Sequence, residues 1–393
     1  MPVVNRIAEF ARDMAEWRQW MHRNPELGFD CHRTAAFVAD RLREFGVDEV
    51  HEGVAQTGVV AVIEGQGEGP TIGLRADMDA LPMNEETGAD YASETPGKMH
   101  ACGHDGHTAM LLGAARYLAE TRNFAGRVAL MFQPAEEVGG GGGVMVEEGV
   151  LDRFDIGQVY ALHNAPGVPV GRFETGPGPI MASVDEFDVT FRGQGGHAAH
   201  PDLAVDPIPP ALAFAQGCDT VVSRNRPPTE PMVVSVTQIH AGSAFNVIPG
   251  TSRVGGTVRC FSEKMRDLAE RRIRTLAEAQ AAAFGAEVTI DYLRDYPPTV
   301  NHAEQAAFAA GVAREVAGED KVVEDRAPQM GAEDFAYMLQ ARPGAYLFLG
   351  QGEGPFCHHP AYDFNDEIAP IGASFFVRLV ETAQPVHPAA AAR

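Results

Sequence analysis

The sequence predicts an α/β protein carrying an inserted, ferredoxin-like α+β domain. Three observations support this. Apolar strand-like runs alternate with helical stretches up to residue 183 and again after residue 297. Between them the order strand, helix, strand, strand, helix, strand is that of a split βαβ unit. The 393 residues also exceed what one compact core usually holds, so two domains are expected. The division is 1–183 with 297–393 for a discontinuous first domain and 184–296 for the insert.

The elements follow in order. Ile7, Phe10, Met14, Trp17 and Met21 recur at steps of three and four, predicting an amphipathic helix that stops near Asn24-Pro25. A second helix is expected from Thr34 to Phe45, closed by Gly46. Strands at Val59–Ile63 and Thr71–Arg75, a helix at Thr108–Glu120, and strands at Arg127–Phe132 and Gln158–Leu162 imply a largely parallel sheet. After Gly176-Pro-Gly-Pro179 the texture changes. Phe187, Val189 and Phe191 alternate along one strand, and a helix follows Asp206-Pro207. Strands at Met232–Ile239 and Ser252–Phe261, a helix from Ser262 to Phe284, and a strand at Glu287–Leu293 complete the insert. Past Tyr296-Pro-Pro298 come helices at Ala303–Val316 and Glu333–Leu339, strand Ala345–Leu349 and a last helix through Phe375–Val380. The Pro/Ala-rich tail from Gln384 onward is expected to fray.

Apolar residues make up 45% and charged residues 22%, an ordinary globular balance. The net charge of −23 argues against nucleic acid and anionic membrane surfaces as partners. The five cysteines (31, 102, 218, 260, 357) are dispersed and odd in number, which favours a reducing compartment. Pro2 to Arg23 lacks the pattern of a secretion signal, and no segment has the apolar length of a membrane span. A cytoplasmic location is expected.

The chemistry gathers at strand ends. Asp77 and Asp79 follow one strand, Glu136-Glu137 a second, His163 closes a third and His358 lies in the loop after a fourth. Ligands of open α/β sheets bind beyond the carboxyl ends of the strands. Taken alone, two adjacent acids most often face solvent, but this pair follows the apolar Leu130-Met131-Phe132. One carboxylate of such a pair can hold a metal while its neighbour handles a proton. Cys102-Gly-His104 sets a thiol and an imidazole in a turn before a helix, where a thiol is readily ionised. His107 reads as a core-edge histidine, His359 as pointing away from its neighbour His358, and Gly139–Gly143 as a flexible turn. In the insert, His197, Asn246 and Arg259 stand among small residues or near strand ends, where turn chemistry is an equally ordinary explanation.

Seven stretches, in order along nearly the whole chain, resemble the dinuclear metallopeptidase-related amidohydrolases, the family of hippurate hydrolases, aminoacylases and indole-acetyl-amino-acid hydrolases. They are Leu74-Arg-Ala-Asp-Met-Asp-Ala-Leu-Pro82, His100-Ala-Cys-Gly-His-Asp-Gly-His107, Phe132-Gln-Pro-Ala-Glu-Glu137, Ala161-Leu-His-Asn164, Gly195-Gly-His-Ala-Ala199, Met330-Gly-Ala-Glu-Asp-Phe335 and His358-His-Pro360. The resemblance implies a zinc-peptidase-like catalytic domain with an inserted dimerisation and lid domain. It also implies two divalent metal ions bridged by Cys102, one taking His104 and His163 and the other Glu137 and His358. Thiolate and imidazole suit zinc, while manganese, cobalt and nickel also fit a mixed donor set. Asp79 matches an acid that supports the ligands. Where relatives carry a histidine two residues before that acid, this chain has Asp77, which is left without a role.

The reaction implied is hydrolysis of an N-acyl amino acid to a carboxylic acid and a free amino acid. Glu136 would move the proton, and His197 would reach the partner subunit's site to stabilise the oxyanion. Asn246 and Arg259 would hold the substrate. A homodimer or homotetramer is implied. The rivals are a dipeptidase or carboxypeptidase on the same metals and, from another class, a non-catalytic metal-binding protein. The last has no use for Glu136.

Overall fold

The computed structural model describes residues 4–386, so the end of the Pro/Ala-rich tail lies outside the described residues. Two compact units divide the chain. One comprises the chain up to Ile180 with Val300–Ala327 and the chain from Asp334 onward; the other comprises Met181–Thr299 with Pro328–Glu333. The second unit starts three residues before the expected 184 and also takes in 328–333. The reason is local: the Ala182 N–H lies within hydrogen-bonding distance of the carbonyls of Gln329 (3.1 Å) and Gly331 (2.8 Å).

The first unit is built on an eight-stranded sheet. Its order is Glu49–Val54, Gly58–Glu64, Arg127–Gln133, Thr71–Asp77, Ile156–Pro166, Gly344–Gly352, Phe173–Glu174, Val322–Val323. The four central strands, Arg127–Gln133 through Gly344–Gly352, are parallel. The sheet as a whole is mixed, which corrects the expectation of a largely parallel one. Glu49–Val54 and Gly58–Glu64 form an antiparallel hairpin at one edge. Its turn holds Ala55 and Gln56 at positive φ (45° and 72°), the conformation a tight hairpin demands. The central strands are buried on both faces and mostly apolar, as expected of strands covered on both sides.

Several elements differ from expectation. The first helix is broken at Phe10 into Asn5–Glu9 and Ala11–Arg23. Phe10 is buried there, with the guanidinium of Arg116 3.9 Å from its ring centroid. The strand carrying His163 runs on to Pro166, so His163 lies inside it. Gly139–Gly143 does not form a flexible turn. Gly140 adopts a left-handed conformation, and a buried helix, Gly141–Glu147, starts beside it. A Cβ on Gly141 would stand 1.8 Å from the carbonyl oxygen of Pro134, so only glycine permits this approach.

The second unit is a four-stranded antiparallel sheet, in the order Met232–Ala241, Thr251–Cys260, Asp185–Arg192, Glu287–Arg294. With helices Ile208–Thr220 and Glu263–Phe284 it has the ferredoxin-like order. The first of these helices begins one residue later than the sequence suggests, and the Asp206 carboxylate accepts the Ile208 N–H at 2.9 Å. The longer helix is capped by the Ser262 side chain and closed by left-handed Gly285. It buries Met265, Ala269, Ile273, Ala277 and Ala281, one face at four-residue spacing, against Phe187, Val189 and Phe191.

Candidate metal centre

The parallel strands of the first unit bring the candidate donors together at their carboxyl ends. Donor atoms of Cys102, His104 and His163 all lie within 4.8 Å of one another, as do those of Cys102, Glu137 and His358. Cys102 therefore belongs to two triads at once. Its Sγ is 3.5 Å from His163 Nε2, and His358 Nε2 is 3.3 Å from Glu137 Oε1. Glu136 and Glu137 each bring an oxygen to 3.9 Å from His104 Nε2.

Local backbone geometry sets these positions. Gly103 stands at φ 105°, and a Cβ there would lie 2.2 Å from Asn164 Oδ1. The helix then begins at His104, four residues before the expected Thr108, with His104 and His107 in its first turn. Ala135, just before the glutamate pair, and His358 hold left-handed backbones (φ 58° and 68°). Such conformations cost of order 1 kcal/mol or more for a residue with a Cβ, and here both orient site side chains.

Asp79 is the hub of the glutamate loop. Its two carboxylate oxygens accept the N–H groups of Glu136 (2.9 Å) and Glu137 (3.1 Å), and its carbonyl oxygen lies 2.9 Å from His104 Nδ1. A carbonyl can only accept, so Nδ1 carries the proton and Nε2 faces the triads. The same logic applies to His163, whose Nδ1 lies 2.6 Å from the Asn164 carbonyl, leaving Nε2 toward Cys102.

Asp77 now has a structural place. Its carboxylate accepts from Arg75 (2.7 Å) and lies 2.6 Å from His107 Nδ1. Arg75 also donates to Gln133 (2.9 Å) and Asp334 (2.9 Å), and Asp334 accepts the Gly142 N–H (2.7 Å). All five side chains are buried. Asp77, His104 and His107 also lie close enough to suggest a third donor triad. With both Asp77 oxygens engaged and Arg75 alongside, a further cation is disfavoured there. Arg75, Gln133, Asp334, Asn164 and the linking role of His107 were missed from the sequence. Asp334 stood within a recognised motif, but nothing along the chain showed that it meets a partner 259 residues away.

The electrostatics call for positive charge at the centre. Burial would lower the His104 pKa, yet Asp77, Asp79 and Glu137 together raise it well above the ordinary value. Glu137 Oε1 is buried and makes no well-aligned hydrogen bond, with the imidazoles of His358 and His104 at 3.3 Å and 3.9 Å. Contact with Cys357, burial and the charge of Glu137 push the Cys102 thiol up, while burial holds the His163 imidazole neutral, its ligating form. A divalent ion at each triad would supply the missing charge and release the thiol proton. The residues therefore fit two metals.

The second unit holds the remaining candidates. Gly196–His197 pairs with Val247–Ile248, and the Ala198 N–H donates to the Asn246 carbonyl at 3.1 Å, so His197 and Asn246 share one exposed corner. Arg259 does not join them. It sits at the far end of Thr251–Cys260, opposite Val233, roughly 26 Å along the strand from Thr251. Its guanidinium donates to the Val258 carbonyl (3.0 Å) and has no ion-pair partner among the described residues.

Clustered metal donors and a carboxylate pair at the ends of parallel strands are the equipment of a metal-dependent hydrolase. Residues 73–382 match Peptidase family M20/M25/M40, and the chain belongs to that family. It is 39% identical over 379 residues to hippurate hydrolase of Campylobacter jejuni, covering 96% of this chain and 98% of that protein. It is 42% identical over 362 residues to N-acetyl-L-cysteine deacetylase of Bacillus subtilis, covering 92% and 85%. The structure of the Bacillus subtilis YXEP protein, a dinuclear metal-binding peptidase of family M20, superposes with a TM-score of 0.84 at 33% identity, over 96% of this chain and 99% of that one. Among the described residues no helix is long and apolar enough to cross a membrane.

Proposed function

We propose that the protein is a metal-dependent amidohydrolase that cleaves N-acyl amino acids into a carboxylic acid and an amino acid. The observation that carries this reading is the pair of donor triads sharing Cys102, with Glu136 beside them. These residues would hold two divalent ions, which when bound would supply an acidified water and polarisation of the scissile carbonyl. Glu136, 7% exposed at the rim of the cluster, takes the water proton and delivers it to the leaving nitrogen. Asp79 holds both glutamates by their backbone N–H groups and so fixes where that proton travels. Zinc fits the thiolate and imidazole donors best, with manganese, cobalt or nickel as alternatives.

Arg259, without a carboxylate partner of its own, binds the substrate carboxylate. His197 hydrogen-bonds the oxyanion, worth on the order of 3 kcal/mol for one donor, and Asn246 holds the carbonyl region. Arg259 stands near one end of Thr251–Cys260 and the His197–Asn246 corner adjoins the other, so we assign them to different sites. A homodimer resolves this: the partner subunit's His197 completes each centre, and the unit Met181–Thr299 serves as dimerisation and lid domain. All five cysteines are free, which suits the cytoplasm.

The substrate class is tested by stripping the metals with a chelator, restoring single metals, and assaying hippurate and N-acetyl amino acids against dipeptides. Chelation should abolish turnover, and the acyl-amino acids should exceed the dipeptides in kcat/KM. Preferred cleavage of dipeptides would establish the rival peptidase reading instead. Sharing is tested by mixing equal amounts of His197→Ala and Glu136→Gln subunits, each inactive alone. Random pairing should restore about a quarter of wild-type turnover, since half the dimers are mixed and each has one intact site. No recovery despite demonstrated subunit exchange would refute a shared site.

A further inference from the structure

Of five free cysteines, three are buried: Cys31, Cys218 and Cys260. Burial pushes Cys218 and Cys260 up to about 12, so they stay as inert thiols. Cys102 and Cys357 are different. Both are only partly buried, and they lie on two segments joined by a hydrogen bond from the His358 N–H to the Ala101 carbonyl at 2.7 Å. Cys357 Sγ is 3.7 Å from the Cys102 carbonyl oxygen. The two thiol groups lie within hydrogen-bonding reach of one another. Packing alone would not require two sulfurs to meet at the mouth of a donor cluster. A disulfide forms between cysteines on adjoining backbone segments whose sulfurs approach one another.

We infer that Cys102 and Cys357 form a reversible redox pair, oxidised by peroxide to a disulfide that withdraws the shared donor from the metal centre. One thiol gives up its proton to solvent and its thiolate attacks a peroxide oxygen; the O–O bond breaks, leaving a sulfenic acid and hydroxide, which takes back a proton and leaves as water. The second sulfur then attacks the sulfenic sulfur; the S–O bond breaks, the S–S bond forms, and a second water leaves with the thiol proton. Two electrons pass from the two sulfurs to the peroxide. Because Cys102 belongs to both triads, its loss weakens both at once. Oxidation thus ejects metal instead of merely blocking substrate. This consequence rests on the ligand role proposed for Cys102; formation of the disulfide does not.

The test uses the metal-loaded, full-length enzyme and hydrogen peroxide. Peptide mapping without reductant should show a cross-linked pair containing Cys102 and Cys357, two hydrogens lighter than the reduced peptides. A chelating dye should report loss of bound metal, and a dithiol followed by fresh metal should restore both metal content and turnover. Cys357→Ser, with Cys357→Ala as a second variant, should keep its metal before oxidation. Treated with peroxide, either should carry Cys102 on to acids that the dithiol does not reverse. Absence of the cross-link in the wild-type chain, or recovery of the variants by the dithiol as complete as that of the wild type, overturns the pair. A cross-link formed with the metal fully retained overturns the switch and with it the ligand role of Cys102, while leaving the two-sulfur geometry standing.

Discussion

Replacing Glu136 with glutamine is expected to reduce turnover roughly a hundred- to ten-thousand-fold, the range general acid–base catalysis supplies, while metal content is unchanged. The substitution preserves volume, and the Glu136 N–H still donates to Asp79, so the loop stays in place. Only the capacity to accept and return a proton is lost. Glu137→Gln gives the contrasting result. It alters a donor whose Oε1 sits 3.3 Å from His358 Nε2, and it should lower metal occupancy along with turnover. Metal analysis beside steady-state kinetics separates the two residues. Near-wild-type turnover in Glu136→Gln would remove the proton-transfer role.

Arg75→Met is expected to destabilise the protein by about 3–5 kcal/mol, the usual cost of stranding buried carboxylates by deleting their cation. Arg75 is 2% exposed and its partners Asp77 and Asp334 are fully buried. Burial alone would raise the Asp77 pKa; Arg75, His104 and His107 outweigh it and hold the carboxyl well below the usual range. A carboxyl depressed in the folded state contributes stability that is in place above the unfolded value of about 3.9 and lost as the pH falls through the folded value. Urea unfolding of the wild type should therefore show stability declining below about pH 4, with a shallower decline in Arg75→Met. Adding Asp77→Asn and Asp334→Asn to Arg75→Met should recover part of the loss, because no buried charge is then left unpaired. A change below about 1 kcal/mol in Arg75→Met would show that water or relaxation screens the network.

Much of the site could be read along the chain because strand ends are local features. Glu136, Glu137, His163 and His358 follow or interrupt apolar runs, Cys102 and His104 stand in a turn before a helix, and the structure brings all six together. What supports them was not legible. Asp77 looked like a stray acid because its partners Arg75, His107 and Asp334 are contacts of the folded sheet, and Asp334 lies far along the chain. The helix Gly141–Glu147 was missed because its glycines disfavour a helix in isolation; the close approach to Pro134 and the bond to Asp334 impose it. Two-residue strands at Phe173–Glu174 and Val322–Val323 carry too little pattern to recognise, yet they close one side of the sheet. The separation of Arg259 from His197 and Asn246 follows from strand register, which a single sequence does not reveal.

The most direct measurement of the central claim is anomalous X-ray diffraction from crystals of the metal-loaded protein, collected at the edge of the bound metal. Two ions should be found, with Cys102 Sγ common to both, His104 and His163 on one, and Glu137 and His358 on the other. An ion seated instead between Asp77 and His107, or a single ion with Cys102 unbound, would contradict a dinuclear centre bridged by that thiolate.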